Sequence, residues 1–193
     1  MSGTHASSDP GEPAWVTEVL NFWFEELGEV HWFARSEKID AQIRDRFGSL
    51  HQRLVADEGC IAATPRALLA AVIVLDQFSR NLFRGTPGAF AADPVARRLS
   101  RCAISQGCDT AMAEQERLFL YLPFEHSEER ADQALAVQLI GSVGNAEWTR
   151  FAIAHKEIID RFGRFPYRNA ILNRNSSADE LALLQQQPPA WWL

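Results

Sequence analysis

The stretch that most constrains the fold covers residues 68–88, LLAAVIVLDQFSRNLFRGTPG, where an apolar helix turns within one winding into a row of charged and amide side chains. Every residue from Leu68 to Leu75 is apolar, and a helix that is apolar all round has to be enclosed by other elements. Asp76, Gln77, Arg80, Asn81 and Arg84 follow at steps of three and four, the spacing that stacks side chains on neighbouring turns. The polar row therefore leaves the core directly. Buried charge is costly unless paired, so the spacing predicts an Asp76–Arg80 pair, while Gln77, Asn81 and Arg84 need partners from elsewhere. Two readings stand side by side: a structural network that ties helices together, and a ligand site.

The rest of the chain reads as further helices. Pro13 opens a first one, with Trp15, Val19, Phe22, Trp23 and Leu27 as its apolar stripe and Gly28 as its stop. Ser36 is the expected cap of a second, where Ile39, Ile43, Phe47, Leu50 and Leu54 share a face and Gly48 marks a place for a bend. Thr64-Pro65 launches the central helix, and Asp93-Pro94 repeats that cap-and-proline device for a fourth over residues 95–106. A fifth, from about Met112, is expected to halt at Pro123, and Ser127 to cap a sixth that runs to about Val143. A seventh, residues 147–162, ends at Gly163, and Phe151, Ile158, Ile159 and Phe162 share its apolar stripe with His155. Ser177 and Glu180 form a capping box for a last helix to about Gln187. No segment carries the alternation of a strand. The expected fold class is all-α, about eight helices in one domain over residues 14–187. Residues 1–13 read as a disordered leader, and 188–193 as an apolar tail that should dock on a groove.

Composition narrows the function classes. The longest apolar run, residues 67–75, is far shorter than the roughly 18–20 residues a membrane span requires, and the N-terminus lacks the basic start and apolar core of a secretory signal. Three cysteines, Cys60, Cys102 and Cys108, without a C-x-x-C pair argue against a disulfide framework or structural zinc. The expected location is the cytoplasm. A net charge of −6 argues against nucleic acid or an anionic membrane as partner.

Three segments carry more polar character than a core needs: Asp76 to Arg84, Glu125-His126-Ser127, and His155 to Arg174. The third concentrates Arg161, Arg164, Arg168 and Arg174 around one carboxylate, Asp160. Guanidinium groups offer planar forks of donors that suit carboxylate or phosphate. We expect the segments to converge, with Asp76, Gln77, Arg80, Asn81 and Arg84 facing Glu125, His126, His155, Arg161, Arg164, Arg168 and Asn169. His126, Glu125 and His155 are the candidates for acid–base work, because imidazole titrates near neutral pH. The sequence lacks H-E-x-x-H, E-x-x-H, G-x-S-x-G, a Walker loop and a dinucleotide fingerprint, so no metal or cofactor is expected. A small anionic ligand is the first expectation. A peptide or protein partner clasped by a helical scaffold is the alternative, and a purely structural polar cluster the third.

The segments 75–85 (LDQFSRNLFRG), 119–128 (FLYLPFEHSE) and 161–169 (RFGRFPYRN) resemble a family of mainly bacterial proteins known as domain of unknown function 924. The resemblance covers about residues 15–185. It implies a tetratricopeptide-like helical superhelix and brings no established reaction. The chain departs from the family pattern at Ser79, where Pro is common, at Tyr167, where His is common, and at Asn173, where Gly is common.

Overall fold

The computed structural model describes residues 11–57, 61 and 64–186, and among them every regular element is helical. Helix α1 (Ala14–Leu20) continues through a π-helical stretch (Asn21–Leu27) until Gly28, at φ 67°, turns the chain out of it. Helix α2 (Glu37–Ala56) runs unbroken through Gly48 and starts at Ser36, whose hydroxyl accepts from the Ile39 amide. Helix α3 begins where the Thr64 hydroxyl accepts from the Ala67 amide. It is α-helical over Pro65–Val72, widens to a π turn over Ile73–Phe78, and closes as α-helix over Ser79–Leu82. A single turn, Gly88–Ala91, leads to α4 (Asp93–Ser105), α5 (Glu114–Glu125), α6 (Arg130–Val143), α7 (Ala146–Phe162) and the short α8 (Ala178–Leu184). None of these helices is long and apolar enough to cross a membrane.

The all-apolar run of α3 is the axis of the core. Residues 67–75 are buried throughout, with α1, α2, α4 and α5 packed around them. At the end of that run Phe78 meets Phe47 at 5.0 Å, Trp23 at 5.5 Å and Phe22 at 6.0 Å, and Trp23 and Trp32 stand edge-on to Phe119. Tilted and edge-to-face pairs of this kind add about 0.5–1.5 kcal/mol each beyond the area they bury. Helices α5, α6 and α7 follow one another with short connections and pack as successive neighbours.

Three expected boundaries are displaced, each because a polar side chain or a buried contact outranks the local signal. Pro123 does not end α5. The helix continues to Glu125, since Leu122, Phe124 and Glu125 are all buried and the His126 amide still donates to Leu122 O. Ser127 does not cap α6, which starts only at Arg130, because its hydroxyl donates to Asp132 at 2.7 Å and accepts from Arg97 at 2.5 Å. Asp93 makes no cap either. It is already helical, and its carboxylate reaches back to Arg80. At the chain's start, residues 1–10 lie outside the described residues, but Glu12, grouped above with the leader, is held by Arg66 at 3.1 Å. The tail 188–193 and its expected docking lie outside them too.

Candidate functional site

The widened turn of α3 sets the site. A π turn holds one more residue than an α turn, and such turns recur at functional positions in helices. Here the turn contains Asp76, fully buried, and Gln77. The Asp76 carboxylate accepts from Gln77 Nε2 at 2.6 Å, meets His126 Nδ1 at 2.9 Å through each oxygen, and pairs with Arg80 at 3.3 Å. Burial opposes its charge, but Arg80, His126 and Gln77 outweigh burial and hold it at about 2. The expected Asp76–Arg80 pair exists, and Arg80 has more: its guanidinium also donates to Asp76 O and forks onto Asp93 at 3.1 and 3.3 Å.

Beside this group sits a second carboxylate of opposite character. Glu125 closes α5 with its side chain buried, and burial together with the charge of Asp76 pushes it up to about 8. Its Oε1 lies 3.0 Å from His155 Nδ1, which also faces the Phe151 carbonyl at 2.9 Å. A carbonyl only accepts, so Nδ1 of His155 carries the hydrogen. Burial lowers His155 to about 3, leaving it neutral. The two imidazoles lie 6.4 Å apart, centre to centre.

Arg168 completes the polar floor. Its guanidinium lies 4.5 Å from the centres of both Phe90 and Phe165. Asp93 is 3.8 Å away, and among the described residues the buried Nε has no hydrogen-bond partner. Above the floor opens a cavity of about 760 Å³. Gln77, Arg80, Asn81, Arg84, Glu125, His126, His155 and Arg168 all line it, with Trp32, Phe33, Phe90, Trp148, Phe151 and Tyr167 as walls. The segments singled out in the sequence thus meet around one space. Asp76 stands behind His126, one layer out.

Three expected members are elsewhere. Arg161 is exposed and lies over Phe162. Arg164 forks onto Glu180 at 2.6 and 2.8 Å and donates to Asn175 O, so it fastens α8 to the end of α7. Asn169 is buried and donates to Ser176, behind the wall. Arg174 is likewise engaged, with Glu128 at 2.6 and 2.9 Å. The shortage of local carboxylates that singled out these arginines is made good from a distance. Asp40 of α2 takes Arg84 at 2.8 Å and Asn81 at 2.8 Å, and Asp93 of α4 takes Arg80. Asp40, Asp93 and the aromatic walls are the site components that sequence reasoning missed. Among the described residues no three His, Cys, Asp or Glu side chains converge as a metal site.

The family profile described as "Bacterial protein of unknown function (DUF924)" matches residues 19–188. The chain belongs to this family. A solved structure of a protein of unknown function, ATU0120 from Agrobacterium tumefaciens, is 36% identical and superposes with a TM-score of 0.86, covering 90% of this chain and 98% of that one. No curated protein matches the chain. The DUF924 profile spans all three polar segments and both carboxylate–histidine pairs. Two departures from the family pattern now have a setting. Asn173 sits at φ 53°, a left-handed conformation that glycine adopts without strain and asparagine tolerates. Tyr167 is a cavity wall beside Phe165, at 5.4 Å between rings.

Proposed function

We propose that the cavity binds a small amphipathic anion, its carboxylate or phosphate against Arg168 and Arg80 and its apolar part against Trp32, Phe33, Trp148 and Phe151. The observation that carries this reading is Arg168: a guanidinium fixed between aromatic rings, lining a 760 Å³ space, with its carboxylate 3.8 Å away. Its Nε is enclosed, so an anion would meet the guanidinium through the edge that lines the cavity, whose planar donors suit carboxylate or phosphate. The volume lies within the roughly 300–1,000 Å³ of small-molecule sites, which pair apolar walls with a few convergent polar groups.

The test is thermal shift with inorganic phosphate, hexanoate and octanoate. A ligand at a hundred times its dissociation constant adds about 2.7 kcal/mol of stability. We expect octanoate to raise the melting temperature. Arg168→Met, and independently Ala170→Trp, which fills the mouth from an exposed position, should remove the shift. Equal shifts in both variants, or none in the parent, would reject the reading.

One observation favours a peptide as the occupant: Phe33, a large apolar side chain 60% exposed, lines the cavity. The fully forked pairs of Arg84 and Arg164 favour the structural network for those two residues.

A further inference from the structure

We propose that this cavity is catalytic, with His126 as the general base and Asp76 as its positioning residue, acting on a substrate that carries an ionisable proton beside its anionic group. The proposal rests on the anion-pocket reading for the substrate's orientation, and its chemistry rests on the His126–Asp76 geometry.

Nδ1 of His126 contacts both oxygens of the Asp76 carboxylate at 2.9 Å. A carboxylate only accepts, so Nδ1 is the protonated nitrogen and Nε2 keeps the lone pair. His126 lines the cavity with its side chain 15% exposed, so the basic end of the ring belongs to the same space as Arg80 and Arg168. Asp76 cannot turn away from it. The carboxylate is anchored by Gln77 at 2.6 Å and Arg80 at 3.3 Å on a buried π turn. Burial lowers His126 below its ordinary value while Asp76 pulls the other way, so the ring is neutral and ready to accept at neutral pH. Glu125, next in the chain, is held in its protonated form facing the same cavity. Carboxylates whose surroundings separate them this far mark the division between a charged partner and a proton donor.

In the reacting step an O–H or C–H bond of the bound substrate breaks. Its electron pair stays on the substrate atom and the proton moves to Nε2. The imidazolium is balanced by Asp76 and the new negative charge by Arg80 and Arg168. The proton is then delivered to a second atom of the substrate, either by Nε2 itself or by Glu125, which the His126 imidazolium reprotonates, so both groups end as they began and the substrate is isomerised. No oxidant or second substrate is required.

Two probes test this on the intact chain. Diethyl pyrocarbonate acylates an accessible neutral imidazole nitrogen, and the labelled histidine is read by peptide mass spectrometry, with exposed His31 as internal reference. 5-Nitrobenzisoxazole is a small apolar carbon acid that opens to a coloured nitrophenolate when a base removes its C–H proton. We expect His126 to be labelled at neutral pH and the protein to turn the probe over with saturation. His126→Gln should abolish turnover, a loss of about 10²–10⁴-fold for a histidine base. Asp76→Asn should slow His126 labelling about tenfold while leaving His31 unchanged, a selectivity that general loosening of the fold would not produce. Should that variant fail to fold, nitrogen NMR of the parent decides: a proton on Nε2 of His126 overturns the proposal. Labelling without turnover, or turnover that persists in His126→Gln, overturns it as well. Octanoate reports separately on the pocket. Turnover by His126 that octanoate does not inhibit keeps the base and rejects the anion reading, and octanoate binding without turnover does the reverse.

Discussion

Nδ1 of His155 lies 3.0 Å from Oε1 of Glu125, and both side chains are nearly fully buried. Two groups that would attract each other if charged are instead both neutral, because burial raises the acid to about 8 and lowers the base to about 3. Stability then acquires a definite pH dependence. Glu125 binds its proton more tightly folded than unfolded, so its contribution is fully present below pH 4.5 and is lost as pH rises towards 8. His155 acts oppositely: stability rises from about pH 3 to 6.5 as the unfolded imidazole gives up its proton. His126 and His51, both lowered chiefly by burial, add to that rise. The two trends offset each other from pH 4.5 to about 7, because the unfolded imidazoles are still half protonated at pH 6.5, and beyond that the Glu125 loss dominates. The expected outcome is a net loss of roughly 1 kcal/mol between pH 7 and 9, measured by urea unfolding. Glu125→Gln, neutral at every pH, should show no loss across that window. A parent that is equally flat would show Glu125 to be an ordinary carboxylate.

Arg164 separates structure from binding. It forks onto Glu180, a member of the α8 capping box with Ser177, and touches nothing in the cavity. Arg164→Ala should lower the melting temperature by loosening α8 and weaken octanoate binding only mildly, through the two α8 residues that line the cavity, Leu181 and Leu184. Loss of binding at full folding would bring this residue back into the site.

Much of this layout was legible from local chemistry. The all-apolar run before Asp76 required an enclosed helix, and residues 67–75 are indeed the axis of the core. The capping residues Ser36, Thr64 and Ser177 each make their predicted kind of contact, because a cap depends only on its own next turn. What local chemistry does not encode is which distant carboxylate a buried arginine takes. Asp93 has the signature of a helix cap beside Pro94, yet Arg80, thirteen residues earlier, holds it. Asp40 sits on the first turn of α2, where an acid suits the helix dipole, and is spent on Arg84 instead. The segment after His155 misled for a related reason. Its arginines form a dense run in sequence, but only Arg168 faces inward, because the 3-10 turn Pro166–Arg168 rotates it away from Arg161 and Arg164. The π turn of α3 has no sequence signal at all.

Asn173 offers a small, clean test of backbone conformation. At φ 53° its left-handed geometry is strain-free for glycine. Asn173→Gly should change stability by only a few tenths of a kcal/mol, while Asn173→Val should cost at least about 1 kcal/mol, since a β-branched residue resists that region. Thermal denaturation of the pair measures the difference. Equal melting temperatures would mean that the turn readjusts.

Asp93 is where the network and ligand readings make opposite demands. One carboxylate serves the fork of Arg80 at 3.1 and 3.3 Å and stands 3.8 Å from Arg168. Asp93→Asn keeps its size and removes its charge, leaving Asp76 as the anion paired with Arg80 and Glu128 as a remaining carboxylate whose charge Arg168 feels. Removing one partner of a largely buried ion pair costs about 3–5 kcal/mol, and partial exposure of Arg80 argues for the lower end. The apo protein should therefore melt roughly 6–12 °C lower, at about 2–4 °C per kcal/mol for a chain of this size. A structural network predicts that loss and nothing more. A pocket for an anion predicts that octanoate now binds about tenfold tighter and restores more of the melting temperature than it adds to the parent, because the ligand's charge takes the place Asp93 held. Calorimetric titration of parent and variant with octanoate measures both affinities. A variant that is destabilised but binds no better would leave Asp93, Arg80 and Arg168 as a structural clamp and nothing else.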